Sequence, residues 1–171
     1  MPFIVGGDHS LALGSIAGAS KFLGNDLAVI WIDAHGDINT HETSPSGNIH
    51  GMPLAASMGI GYKKLTSIFF DSFKVKPENV FILACRDLDD GEVALIDELN
   101  MNVWTNKDIN DKGTEVVINE LLSLQGDNGG KRILKGHLND LNVVNIDNEI
   151  ELFDIDTQEE FTKASHLKCL H

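Results

Sequence analysis

Leu27-Ala28-Val29-Ile30-Trp31-Ile32-Asp33-Ala34-His35-Gly36-Asp37 is the stretch that decides how this sequence folds. Residues 27–32 form a continuous apolar run, the pattern of a strand buried on both faces of a parallel sheet. The run ends at Asp33, after which the potential ligands Asp33, His35 and Asp37 alternate. Alternate side chains of an extended segment point to one face, so all of them can reach one site. Carboxylate oxygen with imidazole nitrogen suits Mn²⁺, Fe²⁺ or Zn²⁺, and oxygen-rich sets tilt toward Mn²⁺. A carboxylate can bridge paired metals, and a paired centre lowers the pKa of a bound water enough to make a nucleophile at neutral pH. The competing reading of Asp-x-His is a turn around a hydrogen-bonded histidine, and locally the two stand level.

Upstream, Pro2–Val5 reads as a strand running into Gly6-Gly7-Asp8-His9-Ser10. A parallel neighbour brings His9 alongside Asp33, and the glycines permit close backbone approach. The same residues also read as a strand-to-helix turn with Ser10 as N-cap, and both readings can hold together. Leu11, Ile16, Ala19 and Phe22 fall near helical spacing. Downstream, residues 36–50 are polar and turn-rich, Gly51–Met58 opens a helix and Asn79–Ala84 is a second buried strand. A helix near Glu92–Leu99, a strand at Asn102–Thr105 and a helix at Thr114–Leu124 follow. Gln125–Gly130 breaks the composition; beyond it the pattern predicts helix (131–136), strands (141–146 and 150–153) and helix (157–165). Strands alternating with helices indicate an α/β fold, a parallel sheet with flanking helices. Chemistry in such folds sits past the carboxyl ends of strands, where clusters 8–10, 33–39 and 86–92 each fall.

Composition narrows the function. The 171 residues suit one domain, and a hydrophobic fraction of 42% suits a packed core. A net charge of −13 repels phosphate backbones and anionic lipid, so no nucleic-acid or membrane partner is expected. Clustered carboxylates suit metals or a cationic substrate. Cys85 and Cys169 make no disulfide framework, which points to a reducing cytoplasmic location. The apolar residues Met1–Val5 meet Asp8 and His9 with no basic segment before them, unlike a signal peptide, and no run approaches the ~18 apolar residues of a membrane span.

Further polar groups surround the central stretch. His50, in Ser46-Gly47-Asn48-Ile49-His50-Gly51, has an unperturbed pKa of about 6.5 and can relay a proton. Asn39, Ser46 and Asn48 offer neutral hydrogen-bonding groups on the same loop, although the stretch alone reads more readily as a polar surface loop. His41 is left without a role. The carboxylates of Arg86–Glu92 can hold a cationic amine or form an acidic helix start, and locally the two stand level.

Gly-Gly-Asp-His-Ser at 6–10, Asp-Ala-His-Gly-Asp-Ile-Asn-Thr at 33–40 and Ser-Gly-Asn-Ile-His-Gly-Met-Pro at 46–53, in this order, resemble the arginase (ureohydrolase) family. Asn-Lys-Asp-Ile-Asn-Asp at 106–111 and the helix at 114–124 continue the likeness, which covers residues 2–124. The resemblance implies an α/β sheet fold, a two-manganese centre and hydrolysis of the L-arginine guanidinium to ornithine and urea. It implies His9, Asp33, His35 and Asp37 as metal ligands, with Asp33 bridging, and His50 as proton shuttle. Asn39, Ser46 and Asn48 would hold the substrate α-carboxylate, while Asp89 and Glu92 would face its α-amino group. It also suggests a homo-oligomer.

The family pattern has a further Asp-x-Asp pair followed by Asp-Pro and a Gly/Thr-rich loop, which completes both metal sites. Here the residues after Leu124 read Gln-Gly-Asp-Asn-Gly-Gly-Lys-Arg-Ile-Leu, without that motif. Asp154-Ile155-Asp156 is one candidate for a displaced pair. The favoured reading is that residues 126–165 resemble the tail of molybdenum-cofactor nucleotidyltransferases, through Gly-Asp-Asn-Gly-Gly-Lys-Arg-Ile-Leu and Phe-Asp-Ile-Asp-Thr-Gln-Glu-Glu-Phe. The organisation expected is thus a truncated arginase-like core at 1–124 and an unrelated tail at 125–171. One metal site then keeps His9, Asp33 and Asp37, the other only Asp33 and His35. Fewer manganese ions than the family's pair are expected, and the alternative function is a catalytically incomplete fragment or fusion binding at most one divalent metal.

Overall fold

The computed structural model describes residues 3–123. The elements read at 131–165, with Asp154 and Asp156, lie outside the described residues. Helix α1 (Ala12–Leu23) leads into strand β1 (Val29–Ile32), and two short helices follow, α2 (Pro53–Ser57) and α3 (Lys63–Thr66). Then come β2 (Val80–Cys85), α4 (Asp90–Leu99), β3 (Asn102–Thr105), α5 (Asn106–Lys112) and α6 (Thr114–Ser123). The strands form one sheet in the order β1-β2-β3, parallel throughout. This is the α/β architecture expected from the alternation of strand and helix patterns. The short helices α3 and α5 were not anticipated, because each is too brief to show a 3.6-residue period.

Strand parity divides the packing. Trp31, Val80 and Ile82 face a core shared with Ile16 of α1, with Leu54, Ala55 and Met58 in and just past α2, and with Leu27. Burying each such large aliphatic side chain stabilises the fold by roughly 1.5–3 kcal/mol. On the opposite face Phe81 and Trp104 pack under Val117 and Leu121 of α6. Ile30 and Ile32 pair in register with Phe81 and Leu83 and share that face, yet Ile32 is 72% exposed. The expectation of a strand buried on both faces is therefore corrected. No element among the described residues reaches across the β1 end of this face, so β1 is buried on one side only.

Pro2–Val5, expected as a strand, is corrected too: residues 3–6 carry no ladder, and Phe3 is 89% exposed. A strand needs a hydrogen-bonding neighbour, and among the described residues β1 pairs only with β2. The helix expected from Gly51 begins at Pro53, after a 3₁₀ turn at Ile49–Gly51. Pro53 suits that first position, where its missing N–H has no partner to lose.

Two local devices set the sheet's carboxyl end. The β2–β3 register shifts between Leu83 and Cys85, with Ala84 at φ 67°, a bulge that re-aims the strand just before Arg86. The connection after α3 is knotted around buried Lys74, whose Nζ donates to the carbonyls of Thr66 (2.7 Å), Phe70 (2.5 Å) and Ser72 (2.5 Å). The ammonium also lies 4.3 Å from the centre of the Phe70 ring.

Candidate metal centre

Asp33 sits where β1 ends, its N–H donating to Leu83 O at 3.3 Å. Its Oδ1 accepts from the His35 N–H at 2.9 Å, which bends the chain after the strand. Sheet-like contact resumes beyond the bend: His35 bridges Asp87 in parallel, and Arg86 N donates to Ala34 O at 2.7 Å. Asp37 turns the chain again with φ 50°, a left-handed conformation that Asp tolerates better than most residues. Its carbonyl is held by the Leu54 N–H at 3.0 Å. The ligand segment is thus a bend and a left-handed turn rather than one extended run, and this shape selects which side chains meet.

His9 arrives on a 3₁₀ turn, His9–Leu11, whose N-cap is extended Asp8; Asp8 Oδ1 accepts from Ser10 N at 2.9 Å. The cap is therefore Asp8, which corrects the reading of Ser10 as the capping residue. His9 Nδ1 lies 3.0 Å from Asp33 Oδ2 and 2.8 Å from Asp37 Oδ2. One ligand atom from each of the three lies within 4.8 Å of the others. His35 does not join them; its Nδ1 is 3.5 Å from the other Asp33 oxygen, Oδ1.

Burial, reinforced by the Asp33 carboxylate, pushes the Asp37 carboxyl from 3.8 up to about 6, and His9 opposes the rise. Two carboxylates converge here on a single imidazole, and positive charge between them relieves their repulsion. Two carboxylate oxygens and one imidazole nitrogen form a donor set that fits a divalent cation of the Mn²⁺ class.

The remaining site residues fall into two groups. Glu92, 3% exposed, accepts from Ile38 N at 3.1 Å and Asp89 N at 3.0 Å, tying the loop after Asp37 to the start of α4. Burial pushes the Glu92 carboxyl up in pKa, and these two backbone donors oppose the rise. The contact is close: a Cβ added at Gly36 would lie 2.9 Å from both Glu92 Oε1 and Leu88 Cδ2, so these side-chain ends would have to shift. Buried Asn39 donates through Nδ2 to Asp89 Oδ2 at 2.7 Å and accepts from Thr43 Oγ1 at 2.9 Å. These contacts place Asn39, Asp89 and Glu92 in one network. Ser46, Asn48 and His50 form the second group, on the exposed part of the loop. Ser46 Oγ accepts from Asn48 N at 3.2 Å. His50 Nδ1 faces Asp8 Oδ2 at 3.8 Å, which sets its turn beside the one that carries His9.

Asp8, which the sequence places in the 8–10 cluster without a role of its own, caps one turn and faces His50 on the next. Asp is among the residues favoured at an N-cap. Sequence reasoning missed the packing of Trp31 against His9, which only the fold brings about.

The model of the family described as "Arginase family" matches residues 1–134. The chain belongs to the arginase family. Among relatives it is 54% identical over 121 residues to the arginase of Bacillus subtilis, covering 71% of this chain and 40% of that protein. It is also 54% identical over 122 residues to the arginase of Brevibacillus brevis, covering 71% of this chain and 41% of that one. The solved arginase of Bacillus subtilis superposes with a TM-score of 0.66 at 55% identity, over 68% of this chain and 40% of that chain. Entamoeba histolytica arginase, solved in complex with L-ornithine, gives 0.63 at 38% identity over 78% and 42%. The chain spans about 40% of the length of the curated relatives it matches. The family match reaches past residue 124, where the sequence motifs of the likeness stop.

Proposed function

We propose that this chain carries the metal-binding and substrate-positioning part of a manganese-dependent arginase, which hydrolyses the guanidinium of L-arginine to ornithine and urea. The observation that carries the reading is the convergence of His9, Asp33 and Asp37, one ligand atom of each within 4.8 Å, in a member of the arginase family. His9, Asp33 and Asp37 would hold Mn²⁺, with His35 beside Asp33 as the further ligand. When bound, the metal supplies Lewis acidity that prepares a water nucleophile at neutral pH.

The chain's own groups do the rest. Asn39, Ser46 and Asn48 hydrogen-bond the α-carboxylate. Asp89 and Glu92 would face the α-amino group, and Glu92 also accepts from the Asp89 backbone N–H. The Nδ1 of His50 faces Asp8, leaving Nε2 to carry a proton to the leaving amine. Groups for both an α-carboxylate and an α-amine favour arginine over its decarboxylated counterpart.

A second reading is that the chain binds at most one divalent metal and does not turn over. It is supported by a single three-residue donor cluster among the described residues. Under this reading residues 126–165 are an unrelated, nucleotidyltransferase-like tail. The net charge of −13 supports the absence of nucleic-acid and membrane partners, and no helix among the described residues is long and apolar enough to cross a membrane. A cytoplasmic, homo-oligomeric protein completes the proposal. The test is urea release from L-arginine as Mn²⁺ is added, with bound metal counted in parallel. Release that rises with Mn²⁺ and disappears in His35→Ala supports arginase. Metal binding at or below one ion per chain without urea supports the second reading.

A further inference from the structure

We propose that Trp31 is a positioning residue of the metal centre, an indole platform that orients the His9 imidazole and favours its metal-loaded state. The proposal rests on the metal reading of His9, Asp33 and Asp37 above. Trp31 lies in β1, two residues before Asp33, and is buried. The His9 ring lies over it with centroids 4.2 Å apart and planes 15° from parallel. His9 stands on a short turn, with its side chain 40% exposed. Its ring plane is therefore set by what it touches: two carboxylates at its Nδ1 edge and the indole against its face.

Ligation draws electron density from an imidazole. An electron-poor ring stacks more strongly on the electron-rich face of an indole than a neutral one does, by the attraction that draws cations to aromatic faces. The platform thus acts differentially, stabilising the loaded centre more than the empty one. A second observation concerns the same side chain. Trp31 Nε1 is buried without a hydrogen-bond partner among the described residues. An unpaired buried donor costs stability, so the indole nitrogen adds nothing to the packing of Trp31 in the core. What the indole offers beyond that packing is its wide, electron-rich face under His9.

Trp31 and Trp104 are the chain's two tryptophans, so in the Trp104→Phe protein all indole emission comes from Trp31. In that background, Mn²⁺ is titrated into the 171-residue chain while free Mn²⁺ is followed by electron paramagnetic resonance and emission is recorded. The expected result is quenching of Trp31 emission with the same midpoint as Mn²⁺ binding, lost in His9→Ala. Trp31→Phe is expected to weaken Mn²⁺ binding roughly tenfold, whereas a cavity elsewhere in the same core, as in Ile16→Val, lowers the melting temperature and leaves Mn²⁺ affinity unaltered. Unaltered Mn²⁺ affinity in Trp31→Phe, with weakened binding in His9→Ala, overturns the platform and leaves the metal reading standing. Emission indifferent to bound Mn²⁺ also overturns it. Failure of the parent to bind Mn²⁺ overturns both.

Discussion

Replacing Asp37 with Asn is predicted to stabilise the metal-free protein at neutral pH. In the fold, burial first and Asp33 second raise the Asp37 carboxyl from 3.8 to about 6. One pKa unit is worth about 1.4 kcal/mol, so the rise corresponds to roughly 3 kcal/mol of disfavoured charge. The cluster is open to solvent on its His9 side, and screening there reduces the figure to about 1–2 kcal/mol. A raised carboxyl means that the native state binds more protons than the unfolded chain between 3.8 and about 6. Stability therefore falls as pH rises through that window and stays lower above it. Burial also raises Glu92, so the parent's pH profile mixes contributions; the difference between parent and Asp37→Asn isolates Asp37. The assay is urea unfolding of both proteins in a chelator at about pH 5 and about pH 8. Asp37→Asn should gain about 1–2 kcal/mol on the parent at the higher pH, roughly half of that at the lower, and lose the stabilisation that Mn²⁺ gives the parent. A variant less stable than the parent at about pH 8 would refute the reasoning, because the carboxylate would then be contributing to the fold without metal.

Glu92→Ala removes the partner of two backbone donors, Ile38 N and Asp89 N, and should cost about 2–4 kcal/mol in chemical unfolding. Gly36→Ala forces a Cβ within 2.9 Å of a Glu92 oxygen that is itself held by Ile38 N; a loss of about 1–3 kcal/mol is expected, together with weaker Mn²⁺ binding. Lys74→Met keeps the stem but strips three carbonyls of their donor; it should destabilise by about 3 kcal/mol and raise hydrogen exchange across 66–74. Asp8→Ala removes the cap of the His9 turn and should lower the melting temperature slightly in thermal unfolding; a larger drop in Mn²⁺ affinity than in stability would mark its effect on His9.

The apolar run before Asp33 and the polar residues after it belong to local sequence, so strand, loop and ligand types could be read without coordinates. The alternation of such runs with helical periods also yields the parallel sheet, because β-α-β connections leave little choice of topology. The short helices α3 and α5 have too little length to show a period, and residues 3–6 looked like a strand because apolarity alone does not supply a partner. Burial of β1 was overestimated for a related reason: Ile32 is apolar, but no described element covers it.

Residue identity by itself determined that His9, Asp33, His35 and Asp37 are metal-competent and that they follow strand ends, since donor chemistry and strand pattern are written locally. Only the tertiary structure decided that Asp33 and Asp37 meet His9 while His35 stays beside the other Asp33 oxygen. The bend after Asp33 and the left-handed turn at Asp37 replace simple alternation with a curled segment. Contacts distant in sequence hold that curl: Leu54 N on the Asp37 carbonyl, and Glu92 on Ile38 N. Such contacts form only once the chain has closed on itself, so a one-dimensional pattern of residue types does not contain them.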